Sequence, residues 1–291
     1  MSRPNSPIMD AEIGKSHSVL DHGFVRVVDY MGTDAAVVQA ARVSYGEGTK
    51  STLKDRGLLR YLMRHGHTSP FEMCTIKLHV KLPIFVARQW IRHRTASVNE
   101  VSARYSVLPP ECYTPEPADL AHQATDNKQG RGARMTAHTA GVTRWEMHSA
   151  YRSAATVHEL MTARDTSREI ARIVQPVAQY TEWYWKTDLH NLFHFLALRL
   201  HPHAQLEIRR YAQVISDITR AWVPHSWEAW RDYRHEAERL SGPQAAVMRR
   251  IVADVREGGS SAVTRADTTL SRREWAQLVD MLGPLMVAPR G

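Results

Sequence analysis

From position 74 to 82 the chain alternates without a break: Cys74, Ile76, Leu78, Val80 and Leu82 are apolar, while Thr75, Lys77, His79 and Lys81 are polar. A period of two marks a strand with one face buried. Directly after it the period changes. Pro83 opens the stretch IFVARQWIRHR, whose apolar positions include Phe85, Val86, Trp90 and Ile91, and a proline in the first helical turn costs nothing because its missing N–H would be unpaired there. A half-buried strand running straight into an amphipathic helix excludes an all-α or all-β chain.

The same reading extends outward. Positions 23–31, GFVRVVDYM, read as a first strand and 34–43 as a helix; Leu53, Leu59, Leu62 and Met63 give a second helix over 52–65 that ends where Gly66 supplies a left-handed residue. Four prolines make 108–120 an extended connection, and the polar, glycine-punctuated stretch to 132 completes a surface insertion over 108–132. Helical patterning resumes over 133–161 and 167–174, stops at Pro176, and gives way to an aromatic strand at 177–185, VAQYTEWYW. A long helical pattern over 189–222 is interrupted at Pro202, and 242–257 and 271–281 read as two peripheral helices around a GGSS link. The class is mixed α/β, of α+β arrangement. The organisation is an N-terminal extension (1–22), a main domain (23–230) and a C-terminal helical extension (231–291).

Composition narrows the function. No apolar stretch approaches the roughly 18 residues of a membrane span, and the first twenty residues lack the apolar core of a secretory signal, which points to the cytoplasm. Cys74 and Cys112 are the only cysteines, too few for a disulfide scaffold or a structural zinc tetrad. Net charge is +8, and of 38 basic residues 31 are arginine. Arginine's planar fork suits phosphate and carboxylate. The densest polar cluster is Arg92-His93-Arg94 through Asn99, Glu100, Ser102, Arg104 and Tyr105, at the end of an amphipathic helix, where three arginines and a histidine form an anion-binding set. Sixteen histidines raise a metal site, with His190 and His194 on one helical face and His201 and His203 around Pro202, but no H-E-x-x-H set completes one.

Arg92-His93-Arg94 followed by seven residues and Ser102 resembles the signature of the flavin-dependent thymidylate synthases, the ThyX family. His65-Gly-His67-Thr-Ser69-Pro-Phe-Glu72, Arg168-Glu-Ile-Ala-Arg172-Ile-Val-Gln-Pro176, and 195–199 followed by His203-Ala-Gln205 are similar to further family blocks in the same order. The resemblance implies a ThyX-like fold, a central sheet flanked by helices, assembled as a homotetramer with shared active sites. It implies methylation of dUMP to dTMP with methylenetetrahydrofolate as carbon donor and FAD reduced by NADPH. By the family's pattern Gln89, Trp90, Ile91, Arg92, Glu100, Val101, Ser102, Ala103, Arg104, Arg172 and Arg199 surround dUMP. Ser69, Arg92, His93, Arg94, Glu100, Asp188, Leu189, His190 and His194 hold FAD, and His67 lies near flavin and folate. The signature of one subunit and the 188–194 segment of another complete the flavin site.

Arg199 is the candidate for polarising uracil, Ser102 for a hydrogen bond to the nucleotide, and neither cysteine reads as a nucleophile. The chain departs from the family in Asp188 and His194, where asparagine is common, in His190, where arginine is common, and in Ala103, where glycine is common. Two other readings stand beside this one. A related flavin enzyme alkylating another pyrimidine nucleotide would share the motif. A basic nucleic-acid binder would stack bases on Trp183, Tyr184 and Trp185, although its arginines are dispersed among helices.

Overall fold

The computed structural model describes residues 5–43, 52–105, 109–125, 128–256 and 263–282. In chain order these form α1 (Pro7–Glu12), β1 (Ser16–Val19), β2 (Gly23–Met31), α2 (Asp34–Ala41), α3 (Thr52–His65), β3 (Thr75–Pro83), α4 (Ile84–Trp90) and β4 (Ser97–Glu100). There follow β5 (Ala121–Gln123), β6 (Arg131–Arg134), α5 (Ala137–Ala163), α6 (Arg168–Ala171), β7 (Tyr180–Asp188), α7 (Leu189–Arg199), α8 (Leu206–Trp222), α9 (Pro224–Trp230), α10 (Gly242–Arg256) and α11 (Arg272–Leu282). The GGSS link at 258–261, parts of the proline-rich segment at 106–108 and 126–127, and the Leu53 side chain lie outside the described residues.

Five strands make an antiparallel sheet in the order β1-β2-β3-β7-β4, and β5 and β6 pair as a separate hairpin. The alternation seen in sequence decides which face is covered. Ile76, Leu78, Val80 and Leu82 of β3 and Trp183 and Trp185 of β7 are buried, and they share one cluster with Leu192, Phe195 and Leu196 of α7 and Ile208, Tyr211, Ile215 and Trp222 of α8. Spacings of three and four residues along α8 turn one apolar stripe onto the sheet. The other face carries the polar half of the pattern, including His79, stacked on Tyr184 across the strand pair at 4.8 Å between centroids.

Contacts divide the chain into two compact units, 1–235 and 236–291. In the first, residues upstream of Gly23 take part in the fold: β1 pairs with β2, and Met9 of α1 is fully buried. The proline-rich segment is also pinned down. The Thr114 N–H donates to Asp21 (3.0 Å), the Tyr113 hydroxyl to Glu207 (3.1 Å), and Arg131 pairs with the same buried Glu207. The second unit holds its own small cluster of Val247, Val263, Leu270 and Leu278.

Three local expectations change, and one strand is added. Pro83 ends β3 and caps α4 in an extended conformation instead of lying inside its first turn. The helix stops at Trp90, so Arg92-His93-Arg94 lies in the turn beyond it. The aromatic strand begins at Tyr180 and runs on to Asp188, because Pro176 and the turn after it delay pairing with β3. The stretch after the signature holds a four-residue edge strand, β4, paired with β7 from Ser97 opposite Lys186 to Glu100 opposite Trp183. Among the described residues no helix is long and apolar enough to cross a membrane.

Candidate active site

The turn bearing Arg92-His93-Arg94 is positioned by the residue that closes α4. Trp90 is fully buried, with ring centroids 4.6 Å from Phe195, 5.4 Å from Trp185 and 5.6 Å from Trp183. This aromatic cluster joins α4, β7 and α7, and it fixes where the chain leaves the core. The His93 N–H then donates to the Trp90 carbonyl at 3.0 Å, which tightens the turn.

His93 and Arg199 meet across that turn. Arg199, in the last turn of α7, donates from Nε to His93 Nε2 at 3.0 Å and from Nη2 to the Gln89 carbonyl at 2.8 Å. The His93 ring lies 5.0 Å from Phe195 and 5.6 Å from His194. Burial, then the charge of Arg199, then His194, hold the His93 pKa down at about 4. Burial also lowers the Arg199 pKa, though an arginine remains ionised. The Gln89 side chain meets that of Gln205, at the cap of α8. Arg92, Arg94 and His194 are exposed around this centre.

A second group sits at the other end of β4. Glu100 accepts from the Thr181 hydroxyl at 2.7 Å, and the Val101 N–H donates to the Glu182 carbonyl at 2.9 Å. A turn follows in which the Ser102 hydroxyl accepts from the Arg104 N–H at 3.3 Å. Arg168 donates to the Tyr105 carbonyl at 2.8 Å, and Arg104 faces Glu169 at 3.9 Å, so this loop rests on α6. Arg172 follows α6 directly and is exposed. A cavity of about 360 Å³ opens beside Glu100 and Val101, lined also by His79, Asn99, Glu182 and Tyr184.

The remaining sequence candidates are placed as follows. Gly66 takes a left-handed conformation (φ 72°) that ends α3, and the chain emerges with His67 and Ser69 exposed; the His67 ring lies 5.8 Å from that of Tyr61. Asp188 caps α7, accepting from the Asn191 N–H at 2.9 Å and the Asn191 side-chain amide at 2.7 Å. His190 is half-buried one residue into the helix. Leu189 is fully buried and gives its N–H to the Cys74 carbonyl, so Leu189 and Trp90 present no side chain to a ligand. Ile91 is half-exposed, and Ala103 lies within the Ser102 turn.

The structure thus gathers Gln89, Arg92, His93, Arg94, His194 and Arg199 at one end of β4, and Glu100 to Arg104 with α6 at the other. The signature and the 188–194 segment adjoin within one chain, at His93 and His194. Sequence reasoning left Thr181 and Gln205 without roles. Gln205 belongs to a block already seen to resemble the family, and Thr181 carried no signal beyond its place in a strand. Among the described residues no three His, Cys, Asp or Glu side chains converge as a metal-holding group.

The cysteines are equally informative. Cys74 is fully buried, its thiol donates to the Thr33 carbonyl, and burial with Asp34 nearby pushes its pKa up to about 12. Cys112 is half-buried and shifted the same way by burial. Neither is a thiolate near neutrality.

A family model described as "Thymidylate synthase complementing protein" matches residues 26–225. The chain is 50% identical over 282 residues to a flavin-dependent thymidylate synthase of Ruegeria pomeroyi, covering 96% of this chain and 91% of the relative. It is 49% identical to one of Wolbachia pipientis (94% of each chain) and 46% identical to one of Rickettsia prowazekii (95% and 97%). Among solved structures, the UMP/dUMP methylase PolB of Streptomyces cacaoi, bound with 5-Br dUMP, superposes with a TM-score of 0.69 at 32% identity, over 75% of this chain and 99% of that one. Identity at this level over nearly the whole length, with the signature turn, its arginine partner and the sheet that carries both in place, means that the chain belongs to the flavin-dependent thymidylate synthase family.

Proposed function

We propose that this chain converts dUMP to dTMP by reductive methylation, with methylenetetrahydrofolate as carbon donor and NADPH as the source of reducing equivalents, in the cytoplasm. The observation that carries the reading is Arg199, held by His93 and the Gln89 carbonyl at the signature turn. Its guanidinium keeps further N–H donors for a planar acceptor, and its charge favours electron density on the uracil N3 and O2 side. A preorganised donor of this kind, shielded from water, is worth a few kcal/mol at the transition state. Neither cysteine favours a thiolate route to uracil activation: Cys74 is fully buried with its thiol donating to the Thr33 carbonyl, and burial pushes both thiols up.

The residues fit a flavin. His93 Nδ1 is buried without a hydrogen-bond partner among the described residues, a cost of about 1–3 kcal/mol that a ligand acceptor removes. Exposed Arg92 and Arg94 suit a diphosphate, with Ser69, Glu100, Asp188, His190 and His194 as further contacts and His67 toward the folate. When bound, FAD supplies the hydride that completes the methyl group. Around it, Gln89, Arg92 and Arg199 orient the base from one side, and Ser102, Ala103, Arg104 and Arg172 meet the phosphate from the other.

The two groups support a site shared between subunits of a homotetramer. The three steps from Ser97 to Glu100 of β4, at about 3.3 Å each, put about 10 Å of extended chain between the groups within one chain. A second copy laying its Ser102 turn over the first copy's Arg199 brings both onto one nucleotide. The deciding assay follows dTMP formation by purified protein. A yellow preparation bleached by NADPH, with product that requires methylenetetrahydrofolate, supports the reading; a colourless protein with no turnover rejects it. UMP belongs in the same assay, because the structural relative is a UMP/dUMP methylase. Of the three aromatics the nucleic-acid reading would stack on, Trp183 and Trp185 are each 1% exposed and Tyr184 alone reaches the surface, which weakens that reading.

A further inference from the structure

Arg199 is only as useful as its orientation. A guanidinium on a long side chain at a helix end samples many rotamers, and a donor misplaced by about 1 Å costs on the order of 100-fold in rate. Here two acceptors fix it: a main-chain carbonyl that mutation cannot remove, and His93 Nε2 at 3.0 Å from Arg199 Nε. For Nε2 to accept, the imidazole must be neutral with its proton on Nδ1. The surroundings enforce that state. Phe195 packs against the ring at 5.0 Å; Arg199 and His194 face it from α7; Arg92 and Arg94 flank it in its own turn; and the N–H of His93 is committed to the Trp90 carbonyl. A protonated ring would direct an N–H at the guanidinium, placing two cations in contact.

We infer that His93 is a positioning residue: a neutral, Nδ1-protonated acceptor that aims the Arg199 guanidinium at the base, beyond any contact it makes with flavin. The inference rests on the reading that Arg199 carries charge developing on uracil. It separates His93 from its neighbours in the signature, because Arg92 and Arg94 are exposed and can serve ligands only directly. Burial and the charge of Arg199, which hold the His93 pKa down at about 4, support it by keeping the imidazole neutral near neutral pH.

The test is a double-mutant cycle on the FAD-loaded enzyme, with three readouts: bound flavin by absorbance, the rate of flavin bleaching by NADPH, and dTMP formation at saturating dUMP. His93→Phe keeps a ring in the pocket and removes the acceptor; His93→Gln carries a carbonyl oxygen close to the place of Nε2. Because both variants also lose the Nδ1–H offered to flavin, dTMP formation is read per bound flavin: the expected result is a loss of about 100-fold for H93F and recovery to within about 10-fold of wild type for H93Q, with whatever flavin is lost being lost alike in both. In an Arg199→Ala background, H93F has no further effect per bound flavin, because His93 acts through Arg199. Losses that multiply in the double variant, an H93Q no better than H93F, or flavin lost in proportion to activity would each overturn the inference. Should H93F fail to fold, His93→Asn, whose amide is too short to reach the Nε2 position, takes its place in the same cycle. An Arg199→Ala enzyme with near wild-type turnover would instead reject the underlying reading of Arg199, so the two failures are distinguishable.

Discussion

The two ends of β4 solve the problem of placing an arginine in opposite ways. At the Arg199 end, helix α7 packs on the sheet, Trp90 locks α4 to the same core, and the side chain is half-buried among fixed acceptors. At the Arg104 end, Arg104 and Tyr105 are exposed, and the loop rests on α6 through a hydrogen bond from Arg168 to the Tyr105 carbonyl and a long contact to Glu169. Chemistry that depends on orientation belongs at the first end, where rearrangement would disturb the core. Binding that depends on charge tolerates the second, where closing on a ligand or a second copy supplies the missing order.

The comparison breaks first at Arg199. Arg199→Ala is expected to lower dTMP formation by about 10²- to 10³-fold while leaving bound flavin near its wild-type content, read from the absorbance spectrum. Arg199→Lys should recover little, since an ammonium cannot serve His93 and the Gln89 carbonyl while presenting a planar face. Arg104→Ala, by contrast, should raise KM for dUMP more than it lowers kcat. Substantial turnover in the lysine variant would remove the distinction between the ends.

The next test asks whether the ends belong to one site. Arg199→Ala and Arg104→Ala chains, each of low activity alone, are dissociated, mixed in equal amounts and reassociated. If each site draws its first group from one chain and its second from another, about a quarter of the sites in random mixed assemblies are intact on both sides, and activity returns. No recovery in assemblies shown by mass to be mixed would mean that both ends serve one site within a single chain.

What the sequence revealed follows the same division. The rigid end was legible: alternation over 74–82 named the buried face and survives with a shift of one residue, and helical spacing named α4, which ends four residues early at Trp90. The edge strand β4 was not, because all four of its residues are exposed and so show no alternation. The 108–132 segment read as surface, yet Tyr113, Thr114 and Leu120 are buried there through partners such as Asp21 and Glu207 that lie far away in sequence. Long-range polar anchors leave no periodic trace. The roles of Arg199 and His93 came from resemblance, and their contact came only from the fold.

Cysteine substitution sharpens the account of the rigid end. Cys74 stands where β3 begins and its carbonyl receives the first N–H of α7, so it supports the helix that carries Arg199 without joining the chemistry. A Cys74→Ser/Cys112→Ser double variant should keep turnover within a few-fold of wild type. Its stability to urea should fall by about 1–3 kcal/mol, because a serine hydroxyl replaces the Cys74 thiol in a fully buried site. Abolished activity in a folded double variant would return a thiolate to the mechanism.

The smallest expected effect concerns Asp188, which the family's pattern assigns to flavin and the structure makes a helix cap. Both carboxylate oxygens are engaged by Asn191, and a cap of this type contributes about 1 kcal/mol. Asp188→Ala should therefore destabilise the protein by about that amount, measured by urea unfolding. Asp188→Asn should be close to neutral, because the amide oxygen still accepts from the Asn191 N–H while the residue returns to the one common in the family. If capping is the larger role, flavin content follows stability: reduced slightly in the alanine variant and unchanged in the asparagine variant. If Asp188 chiefly faces the flavin, losing its negative charge beside a diphosphate should tighten binding, and Asp188→Asn would hold flavin more strongly than wild type at equal stability. That second outcome would move Asp188 from the scaffold of the rigid end into its ligand contacts, and it would leave the start of α7 to be held by Leu189 and the Cys74 carbonyl alone.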